Sequence, residues 1–178
     1  MLLENEDIKL RALEPEDLDI LYKWENNTDL WIHGNTLTPY SKLVLRQYIS
    51  ETQAQDIYQA KQLRLMIVKK SDNIVIGTID LYDFDPHNSR VGIGILIDNI
   101  YRNNNYASKT LEIIEAYVFT FLNINQIYSY IAEDNGSSIR LFEKNGYTKS
   151  GTLMNWICCK SKFKNVHIYQ RLNEKAVK

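Results

Sequence analysis

The chain has 178 residues, 44% of them hydrophobic and 24% charged, a globular composition that excludes a disordered polymer. Lysine plus arginine number 21 against 22 aspartates and glutamates, and this net charge of −1, with no basic stripe, argues against a nucleic-acid partner. No apolar run approaches the ~20 residues of a membrane span, and the acidic start from Met1 to Asp7 lacks the shape of a signal peptide, so a cytoplasmic chain with no membrane partner is expected.

One domain over 1–178, with its core at about 8–172, is expected because no Pro/Gly/Ser-rich linker, repeat or low-complexity block divides the chain. Ile8 to Leu13 alternates apolar with polar residues and predicts an edge strand. Pro15 opens a helix that turns Leu18, Leu21, Tyr22 and Trp24 inward. After a mixed loop, Leu30 to Pro39, Ser41 starts a second helix. It carries Leu43, Val44, Gln47 and Tyr48 to about Glu51, with a continuation at Ile57 to Lys61. The period then changes to that of sheet. Leu63–Val68 and Ile74–Leu81 flank Ser71-Asp72-Asn73 as a hairpin, and Val91–Ile97 ends in an apolar run suited to a central strand. A long helix from about Asn105 keeps Leu111, Ile114, Tyr117, Val118 and Phe121 in helical period. A strand follows at Gln126 to Ala132, then a short helix at Ser137 to Lys144 stopped by Asn145-Gly146. Two strands close the chain, around Gly151 and at Lys160 to Asn165. The adjacent Cys158 and Cys159 cannot make a disulfide framework and are expected to be buried strand residues. His33, His87 and His167 stand singly, without metal-ligand spacing, so no metal is expected. The predicted class is α+β: a mixed, mostly antiparallel sheet of about seven strands flanked by four helices.

The segment after the central strand bears on chemistry. Asp98 to Asn105 is a short polar loop leading into a long helix, and a helix start offers unpaired N–H groups and the positive end of its dipole to a phosphate. Arg102-Asn103-Asn104-Asn105-Tyr106-Ala107 resembles the pyrophosphate loop of the GNAT superfamily of N-acetyltransferases, Gln/Arg-x-x-Gly-x-Gly/Ala. Arg102 and Ala107 match. Asn105 stands in place of the first glycine, and asparagine is the side chain that enters positive φ most readily. A second stretch, Asn135 to Tyr147, resembles the family pattern Asn-x-x-Ala/Ser-x-x-Leu-Tyr-x-x-x-Gly-Phe. The matches are Asn135, Ser138, Leu141, Gly146 and Tyr147. The two signatures stand in family order, about 30 residues apart. The start, Ile8 to Leu18, is similar to the ribosomal-protein N-terminal and spermidine acetyltransferases.

The resemblance implies a GNAT-like sheet splayed at the acetyl-CoA site, acetyl-CoA as donor, and an amine attacking its thioester directly. The acceptor would be a protein N-terminus or a small amine such as a polyamine, and the protein a monomer or homodimer. It places the pantetheine along Ile95, Leu96 and Ile97, and the diphosphate on Arg102, Asn103, Asn104, Asn105, Tyr106 and Ala107. Asn135, Ser138 and Phe142 would line the remaining cofactor surface. Two family side chains are missing: Gly92 lies near a position where relatives carry glutamate, and Phe142 replaces the tyrosine that serves as acid for the thiolate. No catalytic acid or base is therefore nominated, and a non-catalytic acyl-CoA-binding module is the alternative. On the acceptor side, Asp80 and Asp83 could draw a cationic amine, and Trp31 and His33 lie in the loop that borders the acceptor site in this family.

Overall fold

Alternation of apolar and polar side chains makes Ile8–Ala12 strand β1, with Ile8 and Leu10 buried. The computed structural model describes residues 2–31, 36–159 and 162–174. A 3₁₀ turn at Pro15–Asp17 leads into helix α1 (Leu18–Glu25), followed by α2 (Thr28–Trp31), α3 (Lys42–Ala54) and α4 (Ile57–Ala60). Strands β2 (Leu63–Lys69), β3 (Ile74–Asp85) and β4 (Arg90–Ile97) come next. Helix α5 (Tyr106–Ala116), strand β5 (Gln126–Ala132), helix α6 (Gly136–Lys144) and strands β6 (Thr148–Cys159) and β7 (Lys162–Leu172) complete the order.

The seven strands form one sheet in the order β1-β2-β3-β4-β5-β7-β6, with β1 at an edge and β4 in the centre. Every neighbouring pair is antiparallel except β4 and β5, so the sheet is mixed. Its two faces hold separate cores. Leu65, Ile67, Ile79, Leu81 and Ile93 pack with Leu111 and Ile114 of α5 and with Phe142 of α6. On the other face Met66 packs with Leu18, Leu21 and Trp24 of α1 and with Leu45 and Ile49 of α3. Each fully buried aliphatic side chain contributes about 1.5–3 kcal/mol, so the layering is set by these two clusters.

Several expectations need correction. Six α-helical segments occur among the described residues rather than four, because α2 and α4 are single turns of four residues. Tyr22 is exposed, and its ring lies under the Lys42 ammonium at 5.5 Å. In α3 the inward residues are Leu45 and Ile49, one turn apart, while Leu43, Val44 and Gln47 face solvent. At about 100° per residue, Leu43 and Val44 cannot share the face of Leu45. Phe121 is exposed as well. The end of the α5 segment becomes a π turn at Tyr117–Phe121, and the extra residue per turn keeps Val118 inside while carrying Phe121 out to stack on Tyr117 at 5.4 Å. Cys158 is exposed on β6 rather than buried. The closing strands are longer than expected, forming an extended hairpin whose register shifts between Leu153 and Ile157.

Candidate functional site: the parting of the central strands

Strands β4 and β5 pair for only three steps, Arg90 with Gln126, Val91 with Ile127 and Gly92 with Tyr128. Both run on, β4 to Ile97 and β5 to Ala132, without pairing further, so they part as a V. On its other side β4 stays paired with β3 out to Ile97. The backbone edge of Ile93 to Ile97 therefore faces the gap, where it can pair with an extended amide-bearing chain. Ser129, buried on β5, donates its hydroxyl to the Ile93 carbonyl at 2.9 Å and marks the floor of the V.

The open end of β4 runs into the loop at the start of α5. Asp98 ends the strand and accepts from the Trp24 indole at 2.8 Å and from Lys23 at 3.2 Å, tying α1 to the loop. Burial works the other way, but these two donors hold the Asp98 carboxyl below the usual carboxylate range. Arg102 donates Nε to the Ile97 carbonyl at 3.1 Å, and the Asn104 amide donates to the carbonyls of Tyr101 and Arg102. Asn103 and Asn105 have φ of 63° and 61°, the left-handed conformation that lets the backbone turn its amides one way. Asn105 is the N-cap of α5 but makes no side-chain cap bond; its Oδ1 accepts from Lys144 at 3.0 Å, which brings an ammonium to the loop. The first intrahelical bond runs from Lys109 N to Asn105 O, so the amides of Tyr106, Ala107 and Ser108 point out of the helix end. Outward amides, a helix N-terminus and Lys144 together suit a diphosphate.

Helix α6 closes the V from the same face as α5. Asn135 caps it, accepting from Ser138 N at 3.2 Å and from the Ser137 hydroxyl at 2.9 Å. Gly146 ends it with φ 82°, a left-handed stop. Phe142 is 2% exposed and meets the Tyr147 ring edge-on at 4.8 Å. It is a core residue on the α5 side and carries no transferable proton.

The opposite face holds groups the sequence did not flag. Gly92 has no room for a side chain: a Cβ there would lie 2.1 Å from Cε2 of Tyr82. The Tyr82 ring of β3 covers the place a glutamate would occupy. It meets Tyr128 edge-on at 6.0 Å, and Tyr128 meets Tyr130 at 5.4 Å. These rings run from the floor of the V into a groove of about 860 Å³ lined by Asp83, His87, Gln126, Tyr128, Tyr130 and Gln170, among others. The signal that could have revealed Tyr82 was the spacing of Gly92 and Gly94. Two glycines two apart leave one face of a strand bare, and a neighbouring strand can lay a ring across it.

Among the described residues named from sequence for the acceptor, only Asp83 lines this groove, with the Tyr128 hydroxyl 3.5 Å from its Oδ2. Asp80 is engaged instead by Arg64 at 2.5 Å, and the same guanidinium reaches Glu25 at 2.5 Å and the Tyr48 ring at 5.6 Å. Asp80 is thus held by a guanidinium that it shares with Glu25, away from the groove. Trp31, half-buried on α2, donates its indole to the Glu25 carbonyl at 2.7 Å and packs beside this network. His33 lies outside the described residues.

A strand pair that parts beside an amide-lined helix start is the arrangement that the sequence resemblance implies. Residues 7–148 match the family model described as an acetyltransferase (GNAT) domain. The chain belongs to the GNAT acetyltransferase family. It is similar to an uncharacterized N-acetyltransferase p20 of Bacillus licheniformis, 26% identical over 96% of this chain and 95% of that one. The spermidine N(1)-acetyltransferase of Escherichia coli K12 is 24% identical over 89% of this chain and 82% of its own. Among solved structures, the spermidine N-acetyltransferase of Vibrio cholerae in complex with CoA and spermine superposes with a TM-score of 0.85. It is 22% identical, covering 97% of this chain and 99% of that one, and supports the fold. As a GNAT enzyme the protein is an N-acetyltransferase with acetyl-CoA as its donor. Those relatives are transferases, which favours turnover over a non-catalytic acyl-CoA-binding module. Among the described residues no cluster of His, Cys, Asp or Glu could hold a metal ion, and no helix is long and apolar enough to cross a membrane.

Proposed function

We propose that the enzyme acetylates a primary amine of a small cationic molecule of the polyamine type, by direct attack on the acetyl-CoA thioester within the V. The observation that carries this is the parting of β4 from β5 beyond Gly92 and Tyr128. Pantetheine would extend along Ile95, Leu96 and Ile97, its diphosphate over the amides from Asn103 to Ala107 beside Arg102 and Lys144, and Asn135, Ser138 and Phe142 would back it from α6. A backbone N–H of the open β4 edge would take the developing oxyanion; losing one such donor costs acyl-transfer enzymes ~2.7–4 kcal/mol. The acceptor would lie on the other face, in the groove where the Asp83 carboxylate sits beside the rings of Tyr128 and Tyr130. A carboxylate and aromatic faces together favour a cation over a neutral amine, and the spermidine-acetylating relatives support that class. An alkyl amine, with a pKa of roughly 10.4, must shed a proton before attack.

The homodimer is the better supported of the expected assemblies, because Met154, Trp156 and Phe163 stand exposed on the β6–β7 hairpin. We propose a cytoplasmic setting, which the lack of any membrane-spanning helix among the described residues supports. Thiol release from acetyl-CoA, measured with spermidine, spermine, an aminoglycoside and a peptide with a free N-terminus, tests the acceptor class. Preferred turnover of the polyamines is expected. Preferred turnover of the peptide would overturn the acceptor class, and CoA binding without turnover of any amine would overturn the transferase.

A further inference from the structure

Acetyl transfer leaves a thiolate, and neither the α5 face nor β4 offers it a proton. Phe142 has no hydroxyl, and Gly92 has no side chain. The missing proton source and the missing space at Gly92 have one explanation in the structure. The Tyr82 ring lies flat against Gly92, with Cδ2, Cε2 and Cζ at 2.5, 2.1 and 2.6 Å from where a Cβ would stand, and its Cε1 is 3.8 Å from the corresponding point at Gly94. Tyr82 is paired with Gly92 in the β3–β4 ladder, and Gly92 is itself the last residue of β4 paired with β5. The ring is thus directed across β4 at the step where the V opens, and its edge-on contact with Tyr128 fixes it on the β5 side.

We propose that the Tyr82 hydroxyl is the proton donor to the departing CoA sulfur, in the role that Phe142 cannot fill. This rests on acetyl transfer taking place in the V. The amine lone pair forms the new C–N bond and the carbonyl π pair moves to oxygen. On collapse the C=O bond reforms, and the C–S pair leaves with the sulfur. The Tyr82 O–H proton passes to that sulfur, giving the CoA thiol, and the phenolate recovers a proton from the ammonium nitrogen, which must lose one to become an amide. The products are an N-acetylamine and a thiol, with no other reactant consumed.

The surroundings suit a donor that is protonated at rest. Burial, first, pushes the Tyr82 hydroxyl well above the usual phenol range, and Tyr128, Tyr130 and Asp83 add to it, while the backbone of Tyr130 pulls the other way. Tyr82 is also half-buried, and its hydroxyl lies against the backbone of Tyr130, on the stretch of β5 beyond its last pairing with β4.

The test is Tyr82→Phe, which keeps the ring against Gly92 and removes only the hydroxyl. With acetyl-CoA and the best amine of the panel, kcat is expected to fall about 10–100-fold, below the usual range for acid–base assistance because a thiolate leaves readily. KM for both substrates should stay within about twofold, and the solvent deuterium isotope effect on single turnover should shrink. An unchanged kcat would overturn the assignment, as would a loss confined to KM for the amine, which would make Tyr82 a binding residue. Replacing Tyr82 with 3,5-difluorotyrosine keeps both ring and hydroxyl, and should move the alkaline limb of the kcat profile to lower pH; an unmoved limb would also overturn it. A wild-type enzyme inactive on every amine would be a failure of the transferase reading instead, and is seen before any variant is made.

Discussion

Glu115 offers a test of the fold's electrostatics that is independent of the site. It lies on α5 and is 6% exposed, with Oε2 3.3 Å from the Arg171 guanidinium and the buried Tyr147 hydroxyl beside it. Burial pushes the Glu115 carboxyl up to about 7, against the opposing pull of Arg171 and Tyr147. An unfolded glutamate titrates near ~4.3, so folding raises this group and disfavours its charged form. Below about pH 4 both states hold the proton and the group is neutral toward stability. As pH rises through the unfolded value, the unfolded chain ionises first and stability is lost until the folded group ionises near pH 7. At about 1.4 kcal/mol per unit the full loss is on the order of 4 kcal/mol, of which about 2–3 kcal/mol falls between pH 5 and pH 8 because the unfolded group is already largely ionised at pH 5. Glu115→Gln, neutral at every pH and of the same shape, should remove this loss. Urea denaturation at pH 5 and pH 8 reads it directly. The wild type is expected to lose about 2–3 kcal/mol more than the variant between the two, with the other titrating groups cancelling in the difference. Parallel pH dependence in the two proteins would refute the reasoning.

The α5 loop and the Phe142 core give two further tests. Asn105→Gly should keep or tighten CoA binding, since glycine adopts the observed φ of 61° without penalty. Asn105→Pro, locked near −65°, should abolish CoA binding in calorimetry. Equal affinity in the proline variant would remove the diphosphate from this loop. Phe142→Ala should destabilise the fold by ~3–5 kcal/mol in chemical denaturation, because the ring is fully enclosed against Tyr147. Phe142→Tyr should change single-turnover acetyl transfer by less than about tenfold, equivalent to ~1.4 kcal/mol in the barrier. A hundredfold gain would show the wild-type site starved of a proton donor and would count against Tyr82.

Local patterns determined a good part of this protein. Strand periods in Leu63–Val68 and Val91–Ile97, the helix stop at Asn145-Gly146 and the tolerance of Asn105 for a left-handed turn are properties of a few neighbouring residues, and all are seen in the structure. The pairing of Arg102-x-x-Asn105-x-Ala107 with Asn135 to Tyr147 was likewise legible, because backbone turns demand particular residues at fixed spacing. Helix faces were less so. Leu43 and Val44 look as apolar as Leu45 and Ile49, and only the seating of α3 on Met66 and α1 decides which pair is covered.

The groove beside the V was decided by tertiary structure alone. Asp80 and Asp83 carry the same charge three residues apart, yet Arg64, sixteen residues upstream of Asp80, pairs with one and leaves the other beside Tyr128 in the groove. Gly92 reads in sequence as a lost glutamate. In the fold it is the space into which Tyr82 fits, because the β3–β4 register sets these two residues opposite each other. A strand's side chains alternate by a rule its own residues obey, but which ring crosses which glycine depends on register between strands, and register is set by packing across the whole sheet.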